Sequence, residues 1–224
     1  MSSAGYNINF GDLPDKYTAL DAAAIVILPV PYDETSTWIK GADKGPQAIL
    51  EASANLEIYD IATDSQIYRL GIYTAPPVEV RETPEAMVQA VHDHTESFLK
   101  QNKFVVTLGG NHSVSIGAIQ AHFAHYPKLT VLQFDAHADL RDEYLGSKFN
   151  HACVMARVKE MGDLVQVGIR SMSYAEKAMI DKERIYYTAH IFYNSAWIEW
   201  IDRLLAQLTD NVYITIDLDV LIPR

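Results

Sequence analysis

The segment Phe134-Asp135-Ala136-His137-Ala138-Asp139 carries three metal-capable side chains at every second residue. In an extended backbone, alternate side chains point to one side, so Asp135, His137 and Asp139 are expected to converge. The intervening alanines keep the other side compact. An Asp-rich turn leaving a strand has the same composition, so this spacing alone does not decide the matter. A second segment, Ile214-Thr215-Ile216-Asp217-Leu218-Asp219, again puts two carboxylates on one side at the end of an apolar run. A third, Gly109-Gly110-Asn111-His112-Ser113, follows another apolar run, and its glycines are expected to turn the chain tightly and deliver His112. A histidine near a helix start is more often structural, and only its company singles this one out.

Four carboxylates at one edge would repel one another strongly at neutral pH unless cations sat among them. The donor set is rich in oxygen, with imidazole and no thiolate. That disfavours a structural zinc site and suits Mn²⁺ or a similar ion. Six side chains suit two ions if some carboxylates bridge, and paired ions are a device for hydrolysis. His151 follows the loop from Tyr144 to Asn150 and opens a helical pattern. It is a candidate to pass a proton to a leaving amine, although a capping or surface role is the commoner one for such a position taken alone. Cys153 reads as a packed thiol, not a nucleophile.

The elements that must position these groups read as buried strands alternating with helices. Strands are expected at Ala24–Leu28 (stopping at Pro29), Phe104–Leu108, Leu129–Phe134, Val165–Ile169 and Val212–Leu218, with a short one near Tyr186-Tyr187. Helices are expected from Pro46 to about Ile58, Glu85–Lys100, His112 or Ser113 to His125, His151–Lys159 and Ala196–Leu208. Such alternation means an α/β fold with a mostly parallel sheet, whose ligands sit beyond the carboxyl ends of the strands. A single domain over residues 1–224 accommodates all of it.

Composition sets outer limits. The 224 residues are 49% apolar and 21% charged, ordinary for a globular protein. A net charge of −11 argues against a nucleic-acid or anionic-membrane binder. The lone cysteine excludes an intrachain disulfide and fits a cytoplasmic location. Met1 to Tyr6 lacks the basic region and apolar run of a signal peptide, and no apolar stretch reaches the ~20 residues of a membrane span.

Taken together, the three motifs resemble those of the ureohydrolase (arginase/agmatinase) family, in order and spacing, over nearly the whole chain. Val30-Pro31-Tyr32-Asp33, Lys44 to Ile49, Asn150 to Met155 and Gln166 to Arg170 look like its agmatinase branch. The resemblance implies a three-layer α/β/α fold and two manganese ions. One ion would take His112, Asp135, Asp139 and Asp217. The other would take His137, Asp135, Asp217 and Asp219, with Asp135 and Asp217 bridging. A hydroxide between the ions would attack a guanidinium carbon, His151 would relay protons or contact the substrate, and subunits would form trimers or hexamers. The arginase-type Ser-Gly-Asn element is missing between Asp139 and His151, which favours agmatine, giving putrescine and urea. Guanidinobutyrate, guanidine and a formiminoglutamase-like substrate are the alternatives. Asn111 stands where the family usually has Asp or Glu. The family's substrate-binding glutamate lies beyond the Asp-x-Asp strand, and the chain stops at Arg224. That ending suggests missing C-terminal strands and a covering helix, or an inactive truncated paralogue with a binding role.

Overall fold

The computed structural model describes residues 8–193 and 197–221, so the segment from Met1 to Tyr6 lies outside it. The chain forms two compact units, residues 1–118 and 119–224.

The first unit holds a three-stranded parallel sheet in the order β2-β1-β3. Its strands are β1 (Ile25–Val30), β2 (Ile72–Thr74) and β3 (Phe104–Gly109). β1 runs through Pro29 instead of stopping there. Pro29 lies past the last residue paired with β2, where its carbonyl accepts from Val78 N at 2.9 Å. Its missing N–H therefore breaks no ladder bond on that side. Helix α1 (Gly45–Ser53) has Pro46 in its first turn as expected, but it ends five residues early. There the Ser53 hydroxyl donates back to Leu50 O at 2.6 Å and accepts from Gly11 N at 2.8 Å. Helix α2 (Pro84–Leu99) is capped by the Thr83 hydroxyl, which accepts from Ala86 N, and buries Met87, Val91, Phe98 and Leu99 at helical spacing. The short β2 has no sequence signal of its own.

The second unit holds a four-stranded parallel sheet in the order β6-β5-β4-β7. The boundary between the units falls within α3 (Ser115–His125), which follows a short 3₁₀ turn at His112–Val114. The strands are β4 (Leu129–Phe134), β5 (Asp163–Ile169), β6 (Ile185–Tyr187) and β7 (Asn211–Ile216). β4 is buried almost throughout, as its place between β5 and β7 in a parallel sheet requires. The helix expected from His151 begins as a 3₁₀ turn, and α4 proper spans Val154–Lys159. Helix α5 (Thr188–Tyr193) has no counterpart among the expected elements. Helix α6 (Trp197–Leu205) packs Leu204 and Trp200 against Leu132, Val165, Val167 and Tyr186. The side chains of Trp197 and Ile198 lie outside the described residues. Among the described residues, no helix is long and apolar enough to cross a membrane.

Candidate metal centre

β4 and β7 pair in register, with Phe134 opposite Ile216. Both strands therefore end together, and the next residue on each is an aspartate. Asp217 N donates to Phe134 O at 2.9 Å, and Asp135 N donates across to Val167 O of β5 at 3.1 Å. Asp135 is fully buried.

Asp135, His137 and Asp219 each bring a ligand-type atom to within 4.8 Å of the others. His137 Nδ1 lies 2.9 Å from Asp219 Oδ2 and 3.7 Å from Asp135 Oδ1. The carboxylates of Asp135 and Asp219 push the His137 pKa up to about 10, against an opposing effect of burial. The second Asp219 oxygen accepts from Ala136 N at 3.0 Å. Asp217, partly buried, accepts from Asp219 N at 3.1 Å and so shapes the turn that presents Asp219. Arg170 donates to the Asp219 carbonyl and, at 3.3 Å, to that of Val220. Two carboxylates and an imidazole in this arrangement fit a divalent cation of intermediate hardness, which would take over the charge compensation now provided by the histidine.

Asp139 reaches its place by a route that simple strand alternation does not describe. The chain leaves the extended path there, with Asp139 at φ +52°. The Asp139 carbonyl accepts from Met155 N and Ala156 N at 2.9 and 3.2 Å, which fastens the motif to the start of α4. Gly168 lies beneath the motif in β5, at an irregularity in the pairing with β6. Its φ is +91°, and an added Cβ would stand 3.1 Å from Asp135 O and 2.6 Å from Val220 Cγ2. Only glycine meets both conditions without a shift.

His112, in the first unit, is buried in the 3₁₀ turn after β3. Asn111 sets that turn. Its side-chain oxygen accepts from Ser113 N (3.1 Å), Ser113 Oγ (2.6 Å) and Thr35 Oγ1 (3.1 Å), while Nδ2 donates to Ser36 Oγ at 3.2 Å. An amide can donate and accept at once, so asparagine serves as fastener and cap here. The paired glycines have a reason other than the turn that was expected. Neither has a left-handed backbone. An added Cβ on Gly110 would lie 1.9 Å from Tyr32 O, because Gly110 N and Asn111 N bond to Val30 O and Tyr32 O at 2.9 Å each.

His151 is half-buried in a turn whose start is capped by Asn150, and its ring meets Tyr144 edge-on at 6.0 Å. Among the described residues of the second unit, neither His151 nor Asp217 is in the converging trio. Cys153 is fully buried, and burial pushes its thiol up to about 11. The native protein is thus expected to resist Ellman's reagent at pH 8 and to react only on unfolding. Stoichiometric labelling within minutes under native conditions would contradict this packing.

Three further buried polar residues support the motif from outside the expected ligand set. Glu176 accepts from Leu140 N at 3.0 Å and Ser173 N at 2.7 Å, holding the chain just after the motif. Gln133 and Gln166 lie behind Asp135. Their signal in the sequence is a glutamine inside each of two mainly apolar strands, one of them two residues before Asp135.

Residues 23–224 match the model of the arginase family. The chain is 38% identical over 216 residues to an N(1)-aminopropylagmatine ureohydrolase of Synechocystis sp., covering 92% of this chain and 70% of that protein. It is 34% identical over 210 residues to an agmatinase of Pyrococcus horikoshii, covering 88% and 69%. The agmatine ureohydrolase structure of Thermoplasma volcanium superposes with a TM-score of 0.82 at 26% identity, covering 97% of this chain and 73% of that one. With these matches and the carboxylate–imidazole cluster at the ends of β4 and β7, the chain belongs to the arginase family of ureohydrolases, hydrolases acting on amidine C–N bonds.

Proposed function

We propose that this protein hydrolyses the guanidinium group of an amine-terminated substrate of the agmatine type, releasing urea and a polyamine. What carries this reading is the convergence of Asp135, His137 and Asp219 in a chain of this family. Agmatine itself would yield putrescine. N1-aminopropylagmatine, named for the Synechocystis relative, would yield spermidine. Both substrates are cations without an α-carboxylate. They suit a chain of net charge −11 that lacks the Ser-Gly-Asn element between Asp139 and His151.

The residues that would hold two Mn²⁺ ions are His112, Asp135, Asp139 and Asp217 for one and His137, Asp135, Asp217 and Asp219 for the other. When bound, such a pair supplies a hydroxide at neutral pH and neutralises charge that builds up during attack on carbon. The chain's own groups do the rest. Buried Asp135 keeps one orientation, because Gln133 Nε2 donates to its Oδ2 and His137 N to its Oδ1, each at 2.7 Å. The turn from Asp217 to Asp219 presents the second carboxylate opposite it. His151 would pass a proton to the departing amine nitrogen, which must be protonated to leave.

The test is release of urea or formamide by the full-length protein with Mn²⁺, using agmatine, N1-aminopropylagmatine, guanidinobutyrate, guanidine, arginine and formiminoglutamate. Urea is expected from the two amine-terminated compounds and little from arginine. Formamide from formiminoglutamate in place of urea would shift the reaction to the neighbouring class. No product from any of them would sink the reading.

A further inference from the structure

Gln133 and Gln166 face each other as direct partners in the β4–β5 ladder. Both are buried, at 0% and 3% exposure, although neither belongs to the expected ligand set. Burying two amides between apolar strands is costly unless every polar atom is satisfied. Here all four amide hydrogens have acceptors. Gln166 Nε2 donates to Ala138 O at 2.8 Å and to Gln133 Oε1 at 2.7 Å. Gln133 Nε2 donates to Asp135 Oδ2 at 2.7 Å and to His137 O at 3.2 Å.

The direction of this chain is forced. A peptide carbonyl only accepts, so Ala138 O requires the nitrogen of Gln166 to face it. That nitrogen then finds the oxygen of Gln133, which turns the Gln133 nitrogen towards Asp135. Flipping either amide would set two donors or two acceptors against each other. The acceptors at both ends, Asp135, His137 O and Ala138 O, lie within the Asp-x-His-x-Asp motif itself.

Resting on the reading of Asp135 as a metal ligand, we propose that Gln166 and Gln133 form a one-way amide relay that positions the Asp135 carboxylate for metal binding. Gln133 is the positioning residue in contact with Asp135, and Gln166 acts through Gln133. The relay holds one carboxylate oxygen through Gln133 Nε2 while His137 N holds the other, so the carboxylate keeps one orientation.

The test is a titration of Mn²⁺ alone into chelator-stripped full-length protein, read by competition with a fluorescent chelator. Thermal melting of the metal-free protein is recorded beside it. Gln133→Met is expected to weaken Mn²⁺ binding about 10–100-fold, the usual cost of losing a partner of a metal ligand. Gln166→Met is expected to weaken it by less. The double variant should match Gln133→Met within about threefold, because residues acting in series do not add. Mn²⁺ binding within about threefold of the wild type in both single variants, with only melting affected, would overturn the relay. So would single losses that multiply in the double variant. Should Gln133→Met fail to fold, Gln166→Met decides: weakened binding with an unchanged metal-free melt supports the relay, and unchanged binding overturns it. A wild-type protein that takes up no Mn²⁺ overturns the metal reading itself; uptake by the wild type with unaltered variants overturns the relay alone.

Discussion

Asp135→Ala and Asp217→Ala should each leave the protein without either ion and lower urea release by more than about 100-fold, whereas Asp219→Ala should retain one ion per chain. Loss of even an indirect partner of a metal ligand costs about 10–100-fold, so removing a bridging ligand must exceed that. The contrast follows from the proposed sharing: Asp135 and Asp217 belong to both sites, Asp219 to one. The positions differ in the structure too. Asp135 is wholly buried between β5 and β7, while the Asp219 side chain is 40% exposed. Metal analysis after gel filtration reads the outcome directly. Two ions per chain in Asp135→Ala would refute the bridging assignment. One ion in each of the three variants would show that no carboxylate is shared.

The second large effect concerns a residue that touches no ligand. Gly110→Ala is expected to destabilise the protein by about 4 kcal/mol or more, in the range reserved for steric conflict in a packed interior. The added methyl would fall 1.9 Å from the Tyr32 carbonyl oxygen and 2.8 Å from Tyr32 N and C. These are backbone atoms, and they cannot rotate away. Two backbone hydrogen bonds that zip the segment after β3 onto the end of β1 and the residues just beyond it would have to lengthen. For a chain of this size, 4 kcal/mol corresponds to a fall in Tm of about 8–16 °C. A fall under about 2 °C in a thermal melt would mean that the two segments do not approach as closely as described.

How much of this was legible in the sequence depended on whether a local pattern carried the cause. The 16-residue α2 and the apolar β1 announce themselves, because helical spacing and a continuous run of apolar residues arise from burial itself. β2 has three residues and α5 has six, too few for either period to emerge. Pro29 reads as a strand breaker until the length of its neighbour is known. The paired glycines of the His112 motif are visible as glycines, yet the cause of Gly110 is the Tyr32 backbone, about 80 positions earlier in the chain. The same division holds at the metal centre. The alternation of Asp135 and His137 is a local matter and was readable. The left-handed turn at Asp139 depends on Met155 and Ala156, and the amide relay depends on which residue of β5 stands opposite Gln133. Register between strands is a property of the fold, and no single segment states it.

The central claim, that carboxylates and imidazoles at the ends of these strands hold metal for amidine hydrolysis, is tested most directly by one titration. Full-length protein stripped with a chelator is assayed for urea release from agmatine and N1-aminopropylagmatine as Mn²⁺ is returned. The account predicts no measurable urea before addition and a rate that rises and saturates as two ions bind per chain. Urea released at the same rate with and without metal, or two tightly held ions without urea from either compound, would contradict it.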